Sequence, residues 1–317
     1  MLPLLTSVCE KMYRQRYGAI CLSIIGDEIH CLFFPPSKDI HPKYHYNVSA
    51  FDQTLPLGSQ LKNFLSCQAS PNALLSVSLD AKHIAVNTLS VDQLPKKLNE
   101  RDQFIRWRLG KECRQDLNQK SLSYDQIPKN KSGSEILLNV AITDDSIVTQ
   151  VRAVANELRL CLQSLRANTL CLPIAVAWLT SKVEGAVFAI LYVSKDSWCV
   201  GISTMAGESY YHRAREWLGH PIDAQQINTL VNDIVRVLTY FSSIDILMDK
   251  RLIMLGDHIL FDEIMDALER QSIAIHPINV QAIVSERWGD FQVNDSGIVF
   301  PLAVSVMDRI VTMEVGQ

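Results

Sequence analysis

Apolar and polar positions alternate along the first half of the chain in short blocks. "AICLSII" (19–25) and "IHCLFF" (29–34) are runs of strand formers separated by Gly26-Asp27-Glu28, a turn composition, and predict a hairpin. "KYHYNVSAF" (43–51) predicts a third strand and "GSQLKNFLSCQ" (58–68) a helix. "NALLSVSL" (72–79) and "KHIAVNTL" (82–89) predict another strand pair. "NERDQFIRWRLGKECRQ" (99–115) predicts a helix starting near Asn99 or Asp102, with Phe104, Ile105, Leu109 and, more loosely, Trp107 on its apolar side. "KSGSEILLNVAI" (131–142) reads as a loop and a strand, with "KNKSG" as a link between strands. Asp144 or Asp145 then caps a helix in which Ile147, Val151, Val154 and Leu158 recur at helical spacing.

The second half is more regular. "GAVFAILYVSK" (185–195), "SWCVGIST" (197–204) and "ESYYHRA" (208–214) predict a three-strand meander. Asp223 caps a long helix whose stripe is Ile227, Leu230, Val231, Ile234, Val235, Leu238 and Phe241. A strand at 252–256, a helix at 260–270, a strand at 273–276 and a last helix within 297–310 follow. Three strands and then alternating helices and strands is the ribonuclease-H-like order, an antiparallel meander continuing into a parallel part. The first half repeats that order more roughly. Two such units in tandem are the plan of the actin-like ATPases, and the fold expected is α/β with two ribonuclease-H-like domains. The expected division is 1–178 for the first domain with an inserted subdomain, 179–296 for the second, and 297–317 for a C-terminal helix returning to the first.

Bulk composition narrows the function classes. The chain has 317 residues, 48% hydrophobic and 20% charged, enough for two domains with covered cores. A net charge of −4 gives no electrostatic case for a nucleic-acid partner. The eight cysteines form no Cys-x-x-Cys pair and several lie in apolar runs, so they read as buried thiols of a reducing, cytoplasmic compartment. No apolar run reaches the roughly 20 residues of a membrane span. In the N-terminal segment the charges follow the apolar part, unlike a secretory signal, and Leu5, Val8, Cys9 and Met12 share one face of a short helix expected to pack on the domain, with a membrane-surface helix as the alternative.

Several stretches, taken in order, resemble the type IV pilus assembly protein PilM family, with its MshI-type relatives and the cytoplasmic part of type II secretion L proteins. "RDQFIRWRLGKECRQDLNQKSLSYDQI" is similar to the family's helix and following strand, with Tyr124-Asp125 in reversed order. The stretch from "ILLNVAITDD" through "RANTLCL" resembles the strand, helix and connection that come next. "YHRARE" resembles the segment with the family's arginine, here Arg213. "NTLVNDIVRVLTYFSSI" matches in Asp233, Ile234, Arg236 and Tyr240-Phe241, and "RLIMLGDHILFDEIMDALERQSIAI" in its strand, turn and helix. The resemblance spans most of residues 15–311. It implies a non-catalytic cytoplasmic adaptor at the inner membrane of a bacterial type IV pilus or type II secretion platform. The implied partners are a short cytoplasmic peptide of a bitopic, PilN-like membrane protein and the assembly ATPase, and homo-oligomers are compatible with it. Phe104, Trp107 and Arg108 are the candidates for gripping such a peptide, through an apolar groove with a few hydrogen-bonding groups.

The second reading is an actin-like ATPase binding ATP with magnesium in the cleft between the domains. Its contacts would be Gly26, Asp27, Lys195, Asp196, Gly256 and Asp257. That chemistry needs carboxylates at two hairpin turns and small residues that let backbone N–H groups approach phosphate. Ser23 stands where the first strand aspartate is expected, and Gly26-Asp27 suit the hairpin's own geometry. Tyr192 or Val193 stands near the second aspartate's place, and Trp198 is expected to crowd that turn. In Gly256-Asp257-His258 an aspartate replaces the second glycine of the family's adenosine turn. All three signatures depart from the ATPase pattern, so no nucleotide and no metal is expected. The sequence contains no phosphate-loop motif and no Gly-x-Ser-x-Gly elbow. His41 and His45 are separated by Pro42, which argues against a shared helical face, and His276 is expected to be structural.

Overall fold

The computed structural model describes residues 16–37, 44–113, 116–127, 136–179, 187–194, 197–204, 209–217, 221–243, 247, 252–256, 261–280, 282–284 and 296–307. The N-terminal helix, "KNKSG" and His41 lie outside them. The first sheet contains β1 (Ala19–Ile25), β2 (Glu28–Phe34), β3 (His45–Ala50), β4 (Leu74–Leu79) and β8 (Cys161–Ala167), in the order β3-β2-β1-β4-β8. The β1–β2 and β2–β3 pairs are antiparallel, and the β1–β4 and β4–β8 pairs parallel. The second sheet contains β9 (Val187–Val193), β10 (Ser197–Thr204), β11 (Ser209–Glu216), β12 (Leu252–Gly256) and β13 (Ile275–Pro277), in the order β11-β10-β9-β12-β13. Its first two pairs are antiparallel and its last two parallel. The two sheets repeat one topology, as the tandem ribonuclease-H-like reading requires.

A third, three-stranded antiparallel sheet runs β5-β7-β6, from β5 (Ile84–Val91), β6 (Lys120–Gln126) and β7 (Ile136–Asp144). The expected pairing of 72–79 with 82–89 is therefore corrected. Both are strands, but β4 is fully buried and pairs in parallel with β1 and β8, whereas β5 turns away to β7. A strand buried on both faces fits a parallel sheet, and the mixed exposure of β5 fits an insertion packed on one side.

Helix α1 (Leu57–Ser66) buries Leu57, Leu61 and Leu65, and α3 (Asp145–Glu157) buries Val151, Val154 and Ala155. Both cover one face of the first sheet. The expected cap of α3 takes another form. Asp144 occupies the N-cap position without a side-chain cap bond, because its carboxylate pairs with Lys120 Nζ, and Asp145 accepts from Ser121 Oγ. Helix α2 (Leu98–Cys113) packs Ile105 and Leu109 on Leu89, Val91, Leu138, Val140 and Ile142 of the third sheet. In the second unit Asp223 Oδ1 accepts from Gln226 N at 2.8 Å and caps α5 (Ala224–Ser243). The apolar stripe of α5 packs with α6 (Phe261–Glu269) on the second sheet.

Helices α4 (Asn168–Leu179) and α7 (Val299–Met307) join the halves. Their sequences, "NTLCLPIAVAWL" and "VFPLAVSVM", carry almost no polar residue on any side, the composition of a helix buried all round. Cys171, Leu172, Ala175 and Val176 of α4 and Phe300, Leu302, Ala303 and Val304 of α7 share one core with Ala19, Cys21, Leu32 and Phe34 of the first sheet and Phe188, Ile190, Tyr192 and Leu255 of the second. Helix α7 lies on β1, β2 and β4, and α4 on β8, β10 and β11. Cys21, Cys31, Cys171 and Cys199 are buried as expected, and burial pushes the Cys31 thiol up to about 12. Cys67 and Cys161 are exposed, so the expectation of buried thiols fails at those two.

Candidate functional site: an edge-strand groove and a closed cleft

The turns singled out as nucleotide contacts are engaged within the fold. At the first hairpin Gly26 has φ +56° and its N–H donates to Asp80 Oδ2 at 3.0 Å. A phosphate turn needs that N–H free for its ligand. Asp27 Oδ1 accepts from Gln53 Nε2 at 2.7 Å, and Asp27 O accepts from Phe51 N at 2.7 Å. Both residues tie the turn to β3 and the end of β4. Ser23 pairs in register with His30 on one side and Ser78 on the other, giving a polar row across three strands. Ser23 and Ser78 are 0% exposed and His30 1%. Ser23 Oγ and Ser78 Oγ bond at 2.5 Å, and His30 Nδ1 lies 2.7 Å from Tyr46 Oη. Gly297, in the 3-10 turn Ser296–Ile298 before α7, lies so close to the imidazole that a Cβ there would fall 2.3 Å from His30 Cε1. Where an ATPase needs a carboxylate facing a solvent-filled cleft, this chain has a closed hydroxyl pair in a closely packed row.

In the second unit Tyr192 is 4% exposed and meets Phe300 of α7 edge to face, with ring centroids 4.7 Å apart. Trp198 does not crowd the cleft, which corrects the expectation. Strand alternation turns it to the opposite face, where it is buried with the α5 stripe beneath Arg215. Gly256 is the partner of Val193, at φ +126°, and a Cβ there would fall 1.7 Å from Val193 O. Its glycine is explained by the close approach of β12 to β9. Lys195, Asp196 and Asp257 lie outside the described residues. Among the described residues no three His, Cys, Asp or Glu side chains converge as a metal would require.

A cavity among the described residues lies elsewhere, a groove of about 920 Å³ between the third sheet and the outer strand of the first. One rim is β6 and the other β8, each the terminal strand of its sheet among the described residues. Alternation sends Leu138, Val140 and Ile142 of β7 to α2, and Asn139, Ala141 and Thr143 to the groove. Ser123 and Asp125 from β6, Gln163 and Leu165 from β8, and Arg152 and Asn156 from α3 are among the other lining residues. Apolar Ile84, Leu122, Val148 and Leu162 share the groove with these hydrogen-bonding side chains, a mixed lining that suits a peptide.

Phe104, Trp107 and Arg108 do not line this groove. They sit on α2, on the other face of the third sheet. Phe104 packs on the core there, Trp107 is 59% exposed with Lys111 Nζ 5.5 Å from its ring centroid, and Arg108 is half-buried. Neither β8 nor α4 was expected from the sequence, where the stretch ending in "RANTLCL" reads as a connection after the helix. "CLQSLRA" carries polar residues on both faces, as an edge strand does, and gives no apolar alternation to detect.

No protein-family model matches the sequence, and no curated protein matches it. Solved structures do. A PilM–PilN type IV pilus biogenesis complex superimposes with a TM-score of 0.66 at 14% identity, over 93% of this chain and 99% of the other. The chain has the actin-like fold. A Bacteroides thetaiotaomicron protein with an actin-like ATPase fold and unknown function matches with a TM-score of 0.56 at 12% identity, over 84% of this chain and 92% of its own. The cytoplasmic domain of EpsL, an inner-membrane component of the type II secretion system of Vibrio cholerae, matches with a TM-score of 0.50 at 12% identity, over 93% and 95%. No helix among the described residues is long and apolar enough to cross a membrane.

Proposed function

We propose that this actin-like chain is a non-catalytic adaptor of a type IV pilus or type II secretion assembly platform. It sits on the cytoplasmic side of the inner membrane and holds a short peptide of a bitopic, PilN-like partner. The observation that carries this reading is the groove between the edge strands β6 and β8, in a fold shared with a protein solved as part of a PilM–PilN complex. Side chains such as Ser123, Asn139 and Asn156 offer hydrogen bonds to an extended segment, and Ala141 and Leu165 offer contacts for its side chains. The division at 178 and 296 is part of the same proposal, with 297–317 returned to the first unit.

The row His30–Ser23–Ser78 and the Tyr192–Phe300 contact support a scaffold over an ATPase, because the positions where carboxylates would hold magnesium are hydroxyl or aromatic and buried. The test is titration calorimetry of the folded chain with ATP and magnesium. The reading predicts no heat of binding at millimolar nucleotide. Magnesium-dependent binding would transfer the assignment to the ATPase class, with Asp27, Lys195 and Asp196 as the residues to substitute.

A further inference from the structure

On the α5 side of the edge strand β11, three guanidinium groups converge on one carboxylate. Arg213 Nη1 lies 3.7 Å and Arg215 Nη1 3.4 Å from Asp233 Oδ2, and Arg236 Nη1 lies 4.0 Å from Asp233 Oδ1. Strand alternation puts the two β11 arginines on one face, and α5 places Arg236 one turn from Asp233. The Asp233 side chain is 9% exposed, while those of Arg213, Arg215 and Arg236 are 33%, 44% and 78% exposed. Asp233 Oδ2 accepts no hydrogen bond among the described residues, so these are loose ion pairs. Neutralising one buried carboxylate takes one arginine. The other two leave the patch with a surplus positive charge on a chain whose net charge is −4. Each guanidinium also presents five N–H donors in a rigid fork. Tyr240, 58% exposed and one turn beyond Arg236, adds an aromatic surface beside them.

We propose that this patch docks an acidic, extended segment of a protein partner. Arg213 and Arg215 are two positions apart on a strand, about 6.8 Å, which is the repeat of same-face side chains along an extended chain. Successive carboxylates of such a segment meet successive guanidiniums, and Tyr240 covers the stems. The surface is separate from the β6–β8 groove and does not depend on it.

The test is fluorescence anisotropy of the full chain with labelled octaglutamate, with octalysine, inorganic phosphate and phosphatidylserine vesicles as comparisons. Octaglutamate is expected to bind with an affinity that falls as salt rises. The double substitution Arg215→Glu with Arg236→Glu is expected to weaken it by about tenfold or more and to create octalysine binding. Thermal unfolding of the double variant checks its fold, and Arg236→Glu alone, at the most exposed of the three positions, provides a second variant. Equal octaglutamate binding by wild type and the folded charge-reversed chain would overturn the proposal. So would inorganic phosphate competing as well as the peptide, which marks a free-anion site, or binding confined to vesicles, which marks a lipid surface.

Discussion

Gly256 owes its identity to strand pairing. Its φ of +126° lies outside the range side chains adopt readily, and a Cβ would meet Val193 O at 1.7 Å. Gly256→Ala is expected to destabilise the fold by more than about 2 kcal/mol, measured by denaturant unfolding, because backbone strain and steric overlap act together. His212 shows a different constraint. It is buried with Nε2 3.3 Å from Cys199 Sγ, and burial pushes its pKa down to about 4 from the ordinary 6.5. Between those values the unfolded chain binds a proton that the native state refuses, so stability falls as pH drops from about 6.5 toward 4. In melts at pH 7 and pH 5, His212→Gln is expected to lose less stability than wild type over that interval; an identical loss would contradict the assignment. Burial keeps the Cys199 thiol protonated, so the pair is a neutral structural contact and not an activated nucleophile.

Helices α4 and α7 carry the union of the two sheets. Phe300 is 1% exposed and wedged on Tyr192, and Phe300→Ala is expected to cost about 3–5 kcal/mol, with one cooperative transition splitting into two if the halves separate. Apart from β8, the strands of both sheets were readable from sequence, since "AICLSII" and "VFAILYV" are almost wholly buried and the α5 stripe packs on the second sheet. The pairing of β4 was not, because a fully buried strand reads the same beside β5 as beside β1. Strand β8 was missed because an edge strand with polar residues on both faces carries no period. Trp198 was placed on the wrong face because a turn position gives no phase. The polar row at Ser23 was legible only as a missing aspartate; its register with His30 and Ser78 needed the folded sheet.

At the scale of the molecule, α7 and the 3-10 turn at Gly297 cover the central strands of the two sheets, while a groove lies between the third sheet and β8. The most direct test is site-specific photo-crosslinking in cells, with benzoylphenylalanine at Ser123 or Gln163 in the groove and at Gln103 on the far face of α2. The account predicts that both groove positions trap the cytoplasmic segment of a single-pass membrane protein and that Gln103 does not. Crosslinking of that protein from Gln103 alone, with the groove positions silent in a folded chain, would contradict it and return the partner surface to Phe104, Trp107 and Arg108.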